Sequence, residues 1–255
     1  MTRLYAIAVN TFREAIRDRI LYSILFFGAL VLLTSLAMQE LTLGDQDKVV
    51  RSIAQGAIRL FGSIIAIFLG IGLVFKELER KTIYTIASKP IPRWLFILGK
   101  YAGLMGVIAA ELGLMALLYV VLMTVQQGFP ATSVFVSWLM LYMELGLLTA
   151  WAILFSSYST PTTAAAFTLA VFAIGHSADD IWLFGQQAES ETVQQVSAGL
   201  YWILPNLGVF NATDLAVHHL PIPLEQVLTA MGYGVGYTAV VLTVAALVFS
   251  RRDFK

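Results

Sequence analysis

Two carboxylates stand where carboxylates are costly. Glu111 and Glu144 each lie well inside a long apolar stretch. Each is about ten residues in, or roughly 15 Å deep at helical rise, close to the middle of a hydrocarbon layer of about 30 Å. Ionisable groups at that depth face a bundle interior or a watery path. They either line a substrate route, or share a proton and brace two spans. Arg59 is expected only about a turn inside its stretch, from where its long side chain reaches back to the headgroups. His176, Asp179 and Asp180, with His218 and His219 further on, have the residue types of metal ligands. They read instead as the polar outer end of a fifth span, and no metal site is assigned. With no cysteine, thiol chemistry and disulfides are excluded. The chain has neither a Gly-x-x-x-x-Gly-Lys-Ser/Thr phosphate loop nor a His-Glu-x-x-His helix. No nucleophile–base set is visible, so no catalytic residue is assigned.

The elements that position these residues are membrane spans. Of the 255 residues, 58% are hydrophobic and 13% charged, against about 45–50% and about 25% in soluble domains. Six apolar stretches are long enough to cross, near 20–39, 54–75, 101–124, 134–155, 163–183 and 226–249. Nothing alternates like barrel strands, so the expected fold is an all-α membrane protein. All Lys and Arg except Lys48, Arg51 and Arg59 fall on one side if the N-terminus is inside. Both termini are therefore expected in the cytoplasm. The first apolar run exceeds the core of a secretory signal and is read as an uncleaved span.

Residues 1–19 precede the first span. Leu4, Ala8, Phe12, Ala15 and Ile16 recur at helical spacing, with Arg3, Arg13, Glu14, Arg17 and Asp18 around them. This predicts an interfacial helix on the membrane surface. Residues 184–225 are the long external connection. Two short helices are expected there, broken at Pro205-Asn206, the second capped by Asn211. They read as re-entrant helices dipping into the outer leaflet. Gly99-x-x-x-Gly103 and Gly232-x-x-x-Gly236 permit close helix approach.

The densest charge lies between spans 2 and 3. Residues 76–100 contain Lys76, Glu77, Glu79, Arg80, Lys81, Lys89, Arg93 and Lys100, between nearly pure apolar flanks. Residues 76–88 are expected to continue span 2 as a helix, and Lys89-Pro90-Ile91-Pro92 breaks it. Topology alone requires only Lys and Arg. The interleaved glutamates point to a docking surface. At Glu79, Thr82, Ser88, Pro90, Arg93 and Gly99-Lys100 the chain resembles the permease subunits of type-2 (exporter-type) ABC transporters. The ending Phe249-Ser-Arg-Arg-Asp-Phe254 is similar to that family's, and Leu204-Pro205-Asn206-Leu207 resembles its copper-enzyme-maturation and gliding-motility branch. One departure is Lys81, where the family usually has glycine.

The resemblance implies one transmembrane domain over 1–255: an interfacial helix, spans 1–2 at 20–75, a coupling segment at 76–100, spans 3–5 at 101–183, the external region at 184–225, and span 6 with its tail at 226–255. It implies a coupling helix, 76–88, seated on a separate cytosolic P-loop ATPase that carries the ATP and Mg, with no cofactor in this chain. Glu77, Glu79, Arg80, Lys81, Thr82, Thr85 and Ser88 would make that contact. Pro90, Arg93 and Lys100 would anchor the loop, the two cations at lipid headgroups. A second permease copy or a paralogue would complete the transporter in a bacterial or archaeal cell membrane. Two other readings stay open: a proton-coupled carrier using Glu111 and Glu144, and a non-transporting membrane anchor for an ATPase. Net charge is zero, and no nucleic-acid partner is expected.

Overall fold

A computed structural model describes residues 3–41, 46–79, 92–126 and 128–251. They fold as helices: α1 (Arg3–Ile16), α2 (Arg19–Leu41), α3 (Gln46–Glu79), α4 (Arg93–Gln126), α5 (Thr132–Ser156), α6 (Pro161–His176), α7 (Ala178–Gln187), α8 (Glu191–Ile203), a 3-10 turn (Leu207–Phe210), α9 (Thr213–Val217) and α10 (Leu224–Arg251). No strand occurs among the described residues. The expected all-α membrane protein is what the chain forms.

Among the described residues, α3, α4, α5 and α10 are each long and apolar enough to cross a membrane. The pair α6–α7 makes a fifth span if taken as one, but it bends by 65°. The fifth stretch, expected to run unbroken over 163–183, is therefore corrected to a broken helix. The first stretch falls on α2, a helix of 23 residues whose side chains at 35–41 lie outside the described residues.

Helix α5 is the centre of the bundle. It is apolar on every face, as a helix surrounded by protein should be, and packs against α3, α4, α6 and α10. Leu145, Leu147, Leu148, Ala150 and Ala152 are fully buried along it. Helix α6 starts cleanly, with Thr160 as its N-cap accepting from the Thr163 N–H at 3.5 Å and Pro161 in the first turn. Helix α4 starts directly after Pro92, whose carbonyl accepts from Leu95 N–H at 3.0 Å. The charged stretch from Arg93 to Lys100 is thus already helical.

The bundle has two distinct ends. At one, here the α1 end, α1 lies across the start of α4. The apolar face expected to rest on lipid is seated in part on protein. A Cβ on Gly103 would stand 2.6 Å from both the Ala8 carbonyl oxygen and Thr11 Cβ. One on Gly99 would stand 2.7 Å from Ile7, and one on Gly106 would stand 3.2 Å from Phe12. So Gly99-x-x-x-Gly103 does serve close approach, with α1 as the partner. The last helix ends here too. Arg93 Nη1 donates to the Phe249 and Ser250 carbonyls at 3.2 and 2.7 Å, satisfying acceptors that a helix terminus leaves open.

The opposite end, here the cap end, is built by residues 178–223. Helices α7 and α8 pack together, and the chain then turns at Leu204-Pro205-Asn206 as expected. Asn211 accepts from Thr213 N–H at 3.2 Å at the entry to α9. His219 holds a positive φ of 55° in the turn that follows.

Candidate functional site: a buried ionic cluster beneath the cap

A polar stripe runs down α3. Arg51, Gln55, Arg59 and Ser63 recur every four residues and therefore share a face. Arg51 Nη1 donates to the Val217 carbonyl at 3.1 Å, and Arg59 Nη2 to the Phe210 carbonyl at 3.4 Å. Gln55 Oε1 accepts from the Trp138 indole at 3.0 Å. The two arginines thereby hold the cap on α3, and the glutamine holds α5.

Arg59 also faces a fully buried carboxylate. Its Nη1 is 3.3 Å from Glu144 Oε2, and His176 Nε2 is 3.1 Å from Glu144 Oε1. Both are charge contacts outside good hydrogen-bond geometry. The expected snorkelling of Arg59 is corrected: it turns inward, with a side chain only 16% exposed. A charge on the lone central helix would otherwise lack a counter-ion in low dielectric, and that cost exceeds any gain from reaching water.

His176 Nδ1 is 3.0 Å from the Phe172 carbonyl. A carbonyl only accepts, so Nδ1 carries a proton. The other ring nitrogen, Nε2, is the one that faces Glu144 Oε1. His176 is the last residue of α6, at the 65° bend, and not at the polar outer end of a continuous span. The bend is also tight: a Cβ on Gly175 would stand 2.8 Å from the Pro205 carbonyl oxygen and from Leu207.

Asn206 locks the same region. Its side chain donates to Asp179 at 2.7 Å and accepts from Gly208 N–H at 2.9 Å. Its backbone N–H donates to the Tyr233 hydroxyl at 2.9 Å, and Tyr237 donates to the Ile203 carbonyl at 2.6 Å. Further out, burial and then the nearby Arg51 hold the His219 imidazole below its ordinary value. The described residues contain no cluster of metal-ligating side chains.

Glu111 stands apart from this cluster. It is 3% exposed, and neither carboxyl oxygen has a hydrogen-bond partner among the described residues. Its Oε1 would lie 3.7 Å from a Cβ on Gly62, one turn along α3 from Arg59. No hydrogen bond joins the Glu111 and Glu144 carboxyls among the described residues, so the shared proton expected between them is not seen. Glu144 braces α5 to α3 and α6, not to α4.

At the α1 end, Lys100 is 1% exposed, and its Nζ lies 3.7 Å from Glu14 Oε2 and 5.8 Å from the Phe96 ring centroid. The expected headgroup contact of Lys100 is corrected to a contact tying α4 to α1. Arg93 is exposed and clips the end of α10. Helix α3 continues through Glu77 and Glu79, whose side chains lie outside the described residues. Arg80, Lys81, Thr82, Thr85, Ser88 and Pro90 also lie outside them. Arg59 and His176 are the residues that sequence reasoning did not pair. A signal was present: three ionisable groups in separate apolar stretches imply mutual pairing.

The whole arrangement was compared with known proteins. No curated protein matches the chain. Residues 5–254 match the family described as ABC-2 family transporter protein. A multi-pass helical bundle matched over almost its entire length belongs to that family: this chain is a membrane permease component of an ABC transporter.

Proposed function

We propose that this permease is half of an ATP-driven exporter, moved by a separate cytosolic P-loop ATPase. The observation that carries this reading is residues 76–100. They are rich in both signs of charge, leave the end of α3, and return directly as α4 in a chain of the ABC-2 family. Helix α3 running on to Glu79 supports a coupling helix that begins as the continuation of a span. Glu77, Glu79, Arg80, Lys81, Thr82, Thr85 and Ser88 are the docking surface. The ATPase binds ATP and Mg, and this chain holds neither. The α1 end faces the cytosol, following the Lys and Arg distribution. A second permease copy or a paralogue completes the path, in a bacterial or archaeal cell membrane.

The test is a mild-detergent pull-down from native membrane, followed by an ATPase assay. A stoichiometric P-loop ATPase, lost on Glu79→Lys while the protein still inserts, is the expected result. Unchanged association with correctly inserted Glu79→Lys overturns the docking role.

One observation favours a second reading, a proton-coupled carrier: Glu111 has no hydrogen-bond partner among the described residues and sits midway along α4. Glu144, held by Arg59 and His176, is a poor relay. Substrate uptake or release that needs a proton gradient and no ATP, and that is lost in Glu111→Gln, would favour the carrier.

A further inference from the structure

Glu111 is the buried ionisable group that the cluster beneath the cap leaves out. Both its carboxyl oxygens lack a hydrogen-bond partner among the described residues. Its surroundings are close and apolar, with Gly62 of α3, Leu112 and Leu145 at one spot. An unpartnered carboxyl at this depth is costly. A cation that can come to it relieves that cost.

One cation is within reach. Arg59 precedes Gly62 by three residues on α3, so Cβ atoms at 59 and 62 would be about 5–6 Å apart on one side of the helix. A Cβ on Gly62 would in turn stand 3.7 Å from Glu111 Oε1. The carboxyl therefore lies within the span of one extended arginine side chain and a hydrogen bond. Glycine at 62 puts no side chain between the two. Leu145 meets the same Cβ position at 3.1 Å, and Leu145 adjoins Glu144. Glu111 and Glu144 thus flank one turn of α3, the first from α4 and the second from α5.

Arg59 is loosely held where it is. Its Nη1 approaches Glu144 Oε2 at 3.3 Å without hydrogen-bond geometry, and its Nη2 meets the Phe210 carbonyl at 3.4 Å, a long bond. Its departure would not leave Glu144 bare, since His176 Nε2 lies 3.1 Å from Oε1. We propose that Arg59 is a two-seat latch, paired with Glu144 while the cap is held and with Glu111 when the cap is released. In the first seat the guanidinium also clips Phe210 and pins the 3-10 turn of the cap. In the second it turns away from the cap, and that bond is gone. Exchange between two ion pairs gives two discrete arrangements, as a switching element requires. A pull on α3 toward the α1 end by less than one turn, about 5 Å, brings Arg59 to the level of Glu111 and favours the second seat. The latch is the same whatever moves α3 and whichever molecule is carried.

The test is a double-variant cycle on the full chain in detergent, read as the thermal midpoint. Glu111→Gln alone should not lower the midpoint, since Glu111 has no partner in the first seat. In a Glu144→Gln background, which removes the first seat, the same change should lower it by at least about 4 °C. Equal effects in the two backgrounds overturn the proposal. A lipid-soluble carbodiimide gives a second readout in native membranes, because it modifies buried carboxyls that no cation covers. Labelling of Glu111, mapped by mass spectrometry, should fall at least about fivefold in Glu144→Gln. Adding Arg59→Gln should restore it, which separates capture by Arg59 from a general tightening of the bundle. Undiminished labelling in Glu144→Gln, or no recovery with Arg59→Gln, overturns the latch. Amide exchange over residues 207–210 should quicken in Glu144→Gln and not in Glu111→Gln, and a cap that stays equally protected in both overturns the release.

Discussion

The two ends of this bundle are held by different physics. At the cap end the joints are directional hydrogen bonds: Arg51 to the Val217 carbonyl, Arg59 to the Phe210 carbonyl, and the Asn206 side chain to the Gly208 N–H and the Asp179 carboxylate. At the α1 end, the joint is mostly shape, with α1 set into the notch of Gly99, Gly103 and Gly106. Directional bonds specify one arrangement and fail when a partner is lost. Close packing tolerates small shifts but no added volume. The cap end is therefore the chemically defined end, and the α1 end the sterically defined one.

The largest expected effect tests the first half of that contrast. Arg59→Leu should destabilise the protein by about 3–5 kcal/mol, because Glu144 is left buried with one weak partner. Adding Glu144→Leu should recover most of the loss, since two apolar groups replace an ion pair. Thermal unfolding in detergent reads both, and a double variant worse than the single would contradict the pairing. Next, Gly103→Leu should cost about 1–3 kcal/mol by overpacking. It should free α1 for proteolysis while leaving hydrogen exchange in the cap unchanged. Coupled loosening of both ends would erase the distinction. Asn206→Ala should cost about 1–2 kcal/mol, read as faster exchange at Gly208 N–H. Gly232→Leu should change the stability of the isolated chain by no more than about 0.5 kcal/mol, because nothing lies within 4 Å of the added Cβ.

The smallest effect is a pH dependence of the cap. His219 is held below its ordinary value, so the unfolded turn binds a proton more readily than the folded one. The stability this contributes is complete above the unfolded value of about 6.5 and is lost as pH falls through the lower folded value. Protection factors around residues 217–220, corrected for the intrinsic pH dependence of amide exchange, should fall on mild acidification, and His219→Gln should remove that dependence. As the site is exposed, the global unfolding temperature should not follow it.

Hydrophobic run length made the helical fold legible in the sequence. It could not show the break at Ser177, because Phe172 to Ala178 stays largely apolar across it. The clue was Asp179-Asp180, two carboxylates inside a supposed span, which now sit in the first turn of α7 where a helix N-terminus favours them. The glycine pairs show a different limit. Gly99-x-x-x-Gly103 packs tightly against α1, whereas Gly232 and Gly236 face open space. The same spacing gave opposite outcomes because the pattern states what is permitted and only the neighbouring helix decides what is used. Glu144 was legible as an intramembrane carboxylate. Its partners were not, since Arg59 and His176 reach it from other helices only once rotation and depth are fixed.

Helix α3 is one uninterrupted rod of 34 residues, about 51 Å long. It carries the cap-holding arginines near one end and Glu77 and Glu79 at the other. A rod without a joint cannot absorb an axial push or a twist locally. Whatever displaces the Glu79 end must drag the carbonyls of Phe210 and Val217 with it, or break their bonds to Arg59 and Arg51. The stripe on α3 thus works as a linkage in the mechanical sense, tying any displacement of its Glu79 end to the position of the cap at the other.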